Sequence, residues 1–253
     1  MTTTIAIAGK GGVGKTTIAA LLIKLLAEKG VVLAIDGDPA TNLNFSLGLE
    51  LNDTVGRVRE DMAAEVKSGR FSPTVSKPDY LEMKVAEALV ESQGLDLLAM
   101  GRPEGPGCYC AANNMLRTCI DRLARNYDFV VMDCEAGMEH ISRQTTQDVD
   151  ILLIVSDPTI RGVTTAARMK ELIAEIRTRA TKVYLVINRA RDGLSAQVSK
   201  VIEDSSLELI ATIPEDASIM ELEERGVPLT QLPEDSPLKQ AVGNIASKLG
   251  LSR

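Results

Sequence analysis

Seven short apolar runs rich in β-branched residues punctuate the chain: 3–9 (TTIAIAG), 30–38 (GVVLAIDGD), 95–101 (LDLLAMG), 127–134 (YDFVVMDC), 150–158 (DILLIVSDP), 182–189 (KVYLVINR) and 207–214 (LELIATIP). Runs that are apolar throughout, instead of alternating with polar residues, read as central strands buried on both faces. Between them, apolar positions recur at helical spacing over 16–29, 53–67, 83–91, 112–126, 164–179, 195–204, 216–225 and 236–249, each bounded by Gly, Pro or small polar residues. Strands alternating with helices predict an α/β fold with a mostly parallel central sheet and helices on both faces. Residues 68–82 (SGRFSPTVSKPDYLE) are the least regular stretch and read as a surface loop or a partner contact. No repeat, low-complexity tract or linker interrupts the pattern, so residues 1–253 are expected to form one domain.

Composition narrows the function classes. With 35 acidic against 28 basic residues the net charge is −7, which disfavours nucleic acid and anionic lipid in the absence of a concentrated basic patch. No apolar run approaches the roughly 20 residues that span a bilayer, and Met1-Thr-Thr-Thr leads into the first strand without a targeting segment. A cytoplasmic location is expected. In that reducing compartment Cys108, Cys110, Cys119 and Cys134 are not expected to form structural disulfides, and a close pair among them leans toward metal or redox chemistry.

The first strand ends in Gly9-Lys-Gly-Gly-Val-Gly-Lys-Thr-Thr17, a G-x-x-x-x-G-K-[ST] phosphate loop in the strand-to-helix context the motif requires. Backbone N–H groups across Gly11, Gly12, Val13 and Gly14 can close around a β-phosphate while the helix entered at Lys15, Thr16 and Thr17 points its positive end at the same anion. Lys15 would offset β/γ charge and the Thr16 hydroxyl would ligate Mg²⁺. Carboxylates close two other strands, Asp36 and Asp38 in AIDGDPATN and Asp133 in VVMDCEAG, where open α/β sheets bind ligands.

The second lysine of KGGVGKT, Lys10, makes the loop resemble the deviant Walker A of the family that includes MinD, ParA and the nitrogenase iron protein. The resemblance implies an ATP-bound sandwich homodimer in which Lys10 reaches the partner's phosphates. It also implies that Asp133 reaches Mg²⁺ through water and that Asp38 orients the attacking water. Asn42 would lie in the first switch and Gly137 in the second. In VINRAR, Asn188 stands where relatives read adenine with an amide, beside Arg189, and Pro214 and Glu215 of IPED follow the strand that closes over the base. A guanine-reading N-K-x-D would need Asp at 191, where Arg191 stands, so ATP/ADP is expected. The C-terminal stripe of Leu238, Ala241, Val242, Ile245 and Leu249 carries no aromatic and reads as a docking helix, unlike the membrane helix of MinD-type relatives.

Cys108 and Cys110 in EGPGCYCAANN are one residue apart, and in an extended segment residues i and i+2 project to one side. A two-fold dimer would bring four thiolates together, a set suited to Zn²⁺, Ni²⁺ or an iron–sulfur cluster. GRPEGPGCYCAANNMLR with DCEAGMEH resembles the CooC-type ATPases that mature carbon monoxide dehydrogenase by nickel insertion, and their relatives serving acetyl-CoA synthase. That resemblance implies an ATP-driven metallochaperone with such a client. An ATP-gated iron–sulfur reductase and a purely positional switch are the alternatives from other classes. Cys119 reads as core. Cys134 either fills the strand end or serves redox or metal chemistry, and His140 hydrogen-bonds at the surface, relays the nucleotide state or touches metal; Glu135 replaces the proline of the cell-division branch.

Overall fold

The computed structural model describes residues 2–71, 74–102, 110–134, 148–175, 179–191 and 193–251. Cys108, Glu135, Gly137 and His140 lie outside them. Eight strands form one sheet: β1 (Thr3–Gly9), β2 (Val32–Asp36), β3 (Val90–Ser92), β4 (Leu95–Ala99), β5 (Phe129–Asp133), β6 (Asp148–Ser156), β7 (Arg179–Ile187) and β8 (Glu208–Thr212), in the order β3-β4-β2-β5-β1-β6-β7-β8. Every neighbouring pair is parallel except β3–β4. The helices are α1 (Lys15–Ala27), α2 (Leu43–Leu47), α3 (Val55–Lys67), α4 (Lys77–Glu87), α5 (Cys110–Ala124), α6 (Ile160–Glu175), α7 (Ala196–Asp204), α8 (Ala217–Glu224) and α9 (Pro237–Lys248), with a 3₁₀ turn at Leu229–Gln231.

The uninterrupted apolar strands have the physical basis expected of them, because each face of the sheet meets its own helical layer. Ile5 and Ile7 of β1 point into a core shared with Ile18, Leu22 and Leu26 of α1 and with Leu238, Val242 and Ile245 of α9. The intervening Ala6 and Ala8 face a second core built from α3, α4, α5, α6 and α7. Full burial of an Ile or Leu is worth about 1.5–3 kcal/mol, so the two cores together hold β1 at the sheet centre. The C-terminal stripe docks as expected, with Leu238, Val242 and Ile245 each only 1% exposed.

The differences from the sequence reading lie at the edges and ends of elements. Residues 68–82 are not loop throughout: α4 begins at Lys77, capped by Ser76, whose hydroxyl accepts the Asp79 N–H, with Pro78 in the first turn where its missing N–H is harmless. The expected helix 83–91 ends at Glu87, and Val90–Ser92 becomes an antiparallel edge strand that turns through Gln93-Gly94, with Gly94 at φ 73°. Helix α6 starts four residues before the expected 164 because Thr159 caps it by accepting the Gly162 N–H, and β7 then begins at Arg179 inside the expected helix 164–179. The short α2 was not anticipated. β8 is an edge strand, half exposed along its length, and not a buried central one.

Candidate functional site

The C-terminal ends of β1, β2 and β5 sit side by side, and the chemistry foreseen from the sequence gathers there. Gly9 closes β1 with φ 153° at a position where a Cβ would stand 2.2 Å from the Val155 carbonyl oxygen of β6, so the turn into the loop accepts only glycine. Gly14, at φ 90°, is the residue before α1, and α1 has no acidic side chain in its first turn, which leaves its positive end to an anion. Lys15 is nearly buried and its Nζ donates to the Lys10 carbonyl at 3.2 Å, while the Lys10 side chain is exposed.

Beside α1, the Thr16 hydroxyl donates to Asp133 Oδ2 at 2.6 Å. Asp133 is 2% exposed and its Oδ1 has no hydrogen-bond partner among the described residues. Burial, together with the charges of Asp36 and Asp38, pushes its pKa up to about 7 against the pull of Thr16 and Lys15. A buried carboxylate oxygen without a donor, next to a hydroxyl, is the ligand environment a hard cation such as Mg²⁺ favours, and Thr16 and Asp133 therefore fit that ion directly or through water. The ion would supply neutralisation of phosphate charge; the chain supplies its orientation.

Asp36 pairs in register with Asp133 across β2 and β5. Its Oδ1 accepts the Asp38 N–H at 3.0 Å and its Oδ2 accepts the Leu43 N–H at 3.0 Å. Burial is the main cause of a pKa raised to about 6. Asp36 thus pins both ends of segment 38–43, whose role in holding the segment was not foreseen for this residue. Asp38 Oδ1 accepts the Ala40 N–H, and Asn42 is exposed at the start of α2. Thr16, Thr17, Asn42, Phe45 and Val227 line a cleft of about 440 Å³ beside the loop, and Phe45 is 71% exposed at its rim.

The residues expected around a base are arranged less simply. Asn188 is 6% exposed, donates from Nδ2 to the Val13 carbonyl at 2.8 Å and accepts the Arg189 N–H on Oδ1. Arg189 donates to the Gly12 carbonyl at 3.0 Å. Arg191 binds the Glu215 carboxylate through two donors, which lowers the Glu215 pKa, and Pro214 is exposed.

Of the cysteines, Cys119 is buried in the core as expected. Cys134 is also buried, with burial and the Asp133 charge pushing its thiol up to about 12, which favours the strand-filling reading over redox chemistry. Cys110 opens α5 and so is not part of an extended segment at that point; Cys108, Gly137 and His140 lie outside the described residues. Among the described residues no group of three or more His, Cys, Asp or Glu side chains could hold a metal ion, and no helix is long and apolar enough to cross a membrane.

A model of the CobQ/CobB/MinD/ParA nucleotide binding domain matches residues 4–229. An uncharacterised ATP-binding protein of Methanocaldococcus jannaschii is 43% identical over 246 residues, 97% of each chain. The carbon monoxide dehydrogenase accessory protein CooC of Rhodospirillum rubrum is 30% identical over 237 residues, 88% of each chain. Among solved structures, the septum site-determining protein MinD of Pyrococcus horikoshii complexed with Mg-ADP superposes with a TM-score of 0.69 at 23% identity, over 98% of this chain and 96% of that one.

Proposed function

The chain belongs to the CobQ/CobB/MinD/ParA family of P-loop ATPases, and from that premise we propose that it is an ATP-driven metallochaperone that loads nickel into the active-site cluster of a carbon monoxide dehydrogenase or acetyl-CoA synthase. The observation that carries the reading is the C-x-C pair Cys108/Cys110 in a chain 30% identical to CooC across 88% of its length.

In this reading the whole chain, 1–253, works as one ATPase domain. ATP and Mg²⁺ bind at the loop through Lys15, Thr16 and Asp133, and Asp38 orients the attacking water. Lys10, which is exposed, reaches the partner's phosphates across a two-fold axis, with Asn42 and Gly137 reporting the nucleotide state. Closure of the homodimer brings two Cys108 and two Cys110 thiolates together around one Ni²⁺ or Zn²⁺ as cargo. Hydrolysis then reorders the switch segments and changes the surface offered to the client.

Metal content measured against oligomeric state, with and without ATP, tests this reading. One metal per two chains is expected, with metal alone promoting the dimer, and Cys108→Ser or Cys110→Ser abolishing tight binding while ATP affinity is nearly unchanged. A double variant that still holds one metal per dimer at the same affinity would sink it. A stable brown cluster in protein purified without oxygen would point instead to an iron–sulfur reductase.

A further inference from the structure

The phosphate loop is held from outside by two consecutive residues of the segment that leaves β7. Asn188 Nδ2 donates to the Val13 carbonyl at 2.8 Å and Arg189 Nη1 donates to the Gly12 carbonyl at 3.0 Å. In a trans peptide the C=O of one residue and the N–H of the next point in opposite directions. Holding the Gly12 and Val13 carbonyls toward β7 therefore turns the N–H groups of Val13 and Gly14 away from it. Gly12 and Gly14 have φ of 78° and 90°, and Val13 between them does not share their left-handed sign. That alternation of hand is the backbone form in which successive N–H groups converge on an anion. Among the described residues neither N–H has a protein acceptor.

Two further features show that the contact is built and not incidental. A Cβ at Gly14 would lie 2.4 Å from Asn188 Nδ2, so the loop and the amide fit only because residue 14 is glycine. Arg189 itself sits at φ 60°, a left-handed conformation that a long side chain adopts at a cost and keeps only where its surroundings fix it. Oδ1 of Asn188 accepts the Arg189 N–H, which ties the two braces to each other.

We propose that Asn188 and Arg189 are positioning residues of the phosphate loop: they clamp the Val13 and Gly12 carbonyls so that the Gly14 and Val13 amides are preset to receive the nucleotide's phosphates. This goes beyond base recognition, the role expected of Asn188 from the sequence, and it rests on nucleotide binding at this loop and not on the metallochaperone reading. Preset amides lower the reorganisation needed on binding, so the braces act on affinity for the phosphate chain whatever base is attached.

The test is calorimetric binding of Mg²⁺ with inorganic triphosphate, and of Mg²⁺ with ATP, to the full chain and to two variants. Arg189→Asn keeps a residue that tolerates a positive φ but is too short to reach Gly12. Asn188→Asp keeps the shape and cannot donate to Val13. Each variant is expected to bind inorganic triphosphate and ATP about 10-fold more weakly, and by the same factor for both ligands. The loss in Arg189→Asn should persist at high salt, where the long-range pull of a lost cation is screened. The Val13 and Gly14 amide resonances should shift in the ligand-free variant. Unchanged triphosphate affinity in Arg189→Asn, or a loss that vanishes at high salt, overturns the proposal. If Asn188→Asp does not fold, Arg189→Asn alone decides. A wild-type chain that binds neither ligand would remove the nucleotide reading itself.

Discussion

Replacing Asp133 with Asn should make the nucleotide-free protein more stable at alkaline pH while abolishing its ATPase activity. Asp133 is buried, and its pKa in the folded chain rises from 3.8 to about 7. Each unit of separation is worth about 1.4 kcal/mol, so keeping the carboxylate ionised in the folded apoprotein costs roughly 4 kcal/mol relative to the unfolded chain. Because the folded value is the higher one, the stability linked to this group is whole below pH 3.8 and is lost as pH rises through about 7. Asp36, raised to about 6, acts in the same direction. In Asp133→Asn the amide oxygen can still accept the Thr16 hydroxyl, but the amide nitrogen takes the place of Oδ1, which has no partner among the described residues. That unsatisfied group costs about 1–3 kcal/mol at every pH, whereas the charge penalty depends on pH, so the pH-dependent part isolates the charge. Between pH 5.5 and 8.5 the variant should gain on wild type by roughly 2 kcal/mol, or about 4–8 °C in Tm. Thermal unfolding in chelator across this range measures it, with Mg²⁺-dependent ATP hydrolysis as the functional readout. A stability difference that does not change with pH, or one that shrinks as pH rises, would refute the assignment of a buried, strained charge at Asp133.

Gly14→Ala should weaken ATP binding at least tenfold and destabilise the fold by about 1–3 kcal/mol, because it places a Cβ at φ 90° against Asn188; calorimetry and thermal melts check both. Lys15→Ala should lose nucleotide binding, since the charge at the β/γ-phosphates is left uncompensated where the loop enters α1; unchanged ATP affinity would count against the site. Lys10→Ala should keep much of the ATP binding but lose the ATP-dependent dimer and hydrolysis, so a normal dimer by sedimentation would argue against its action across the interface. Alkylation of the native protein near pH 8 should spare Cys134, whose thiol titrates at about 12, and mass spectrometry after brief labelling reports it.

Local chemistry was sufficient for the parts of this protein that depend on near neighbours. The runs that became β1, β2, β4, β5, β6 and β7 were apolar enough to need cover on both faces, and the loop from Gly9 to Thr17 has glycine at its positive-φ positions, Gly9, Gly12 and Gly14. The carboxylates of Asp36 and Asp133 lay at strand ends, so a parallel sheet necessarily brought them to one edge. What the chain order did not reveal were features decided by what lies across the sheet. Whether 207–214 was central or edge depended on there being no strand beyond it among the described residues, which no local pattern encodes. The Asp36 pin on segment 38–43 and the hold of Asn188 and Arg189 on the loop pair groups as much as 177 residues apart, and their roles follow from which carbonyls and N–H groups face them. A residue's identity announced that a donor or a carboxylate was available at that strand end; only the packing of β7 beside β6, and of β6 beside β1, determined that the donors would meet the phosphate loop.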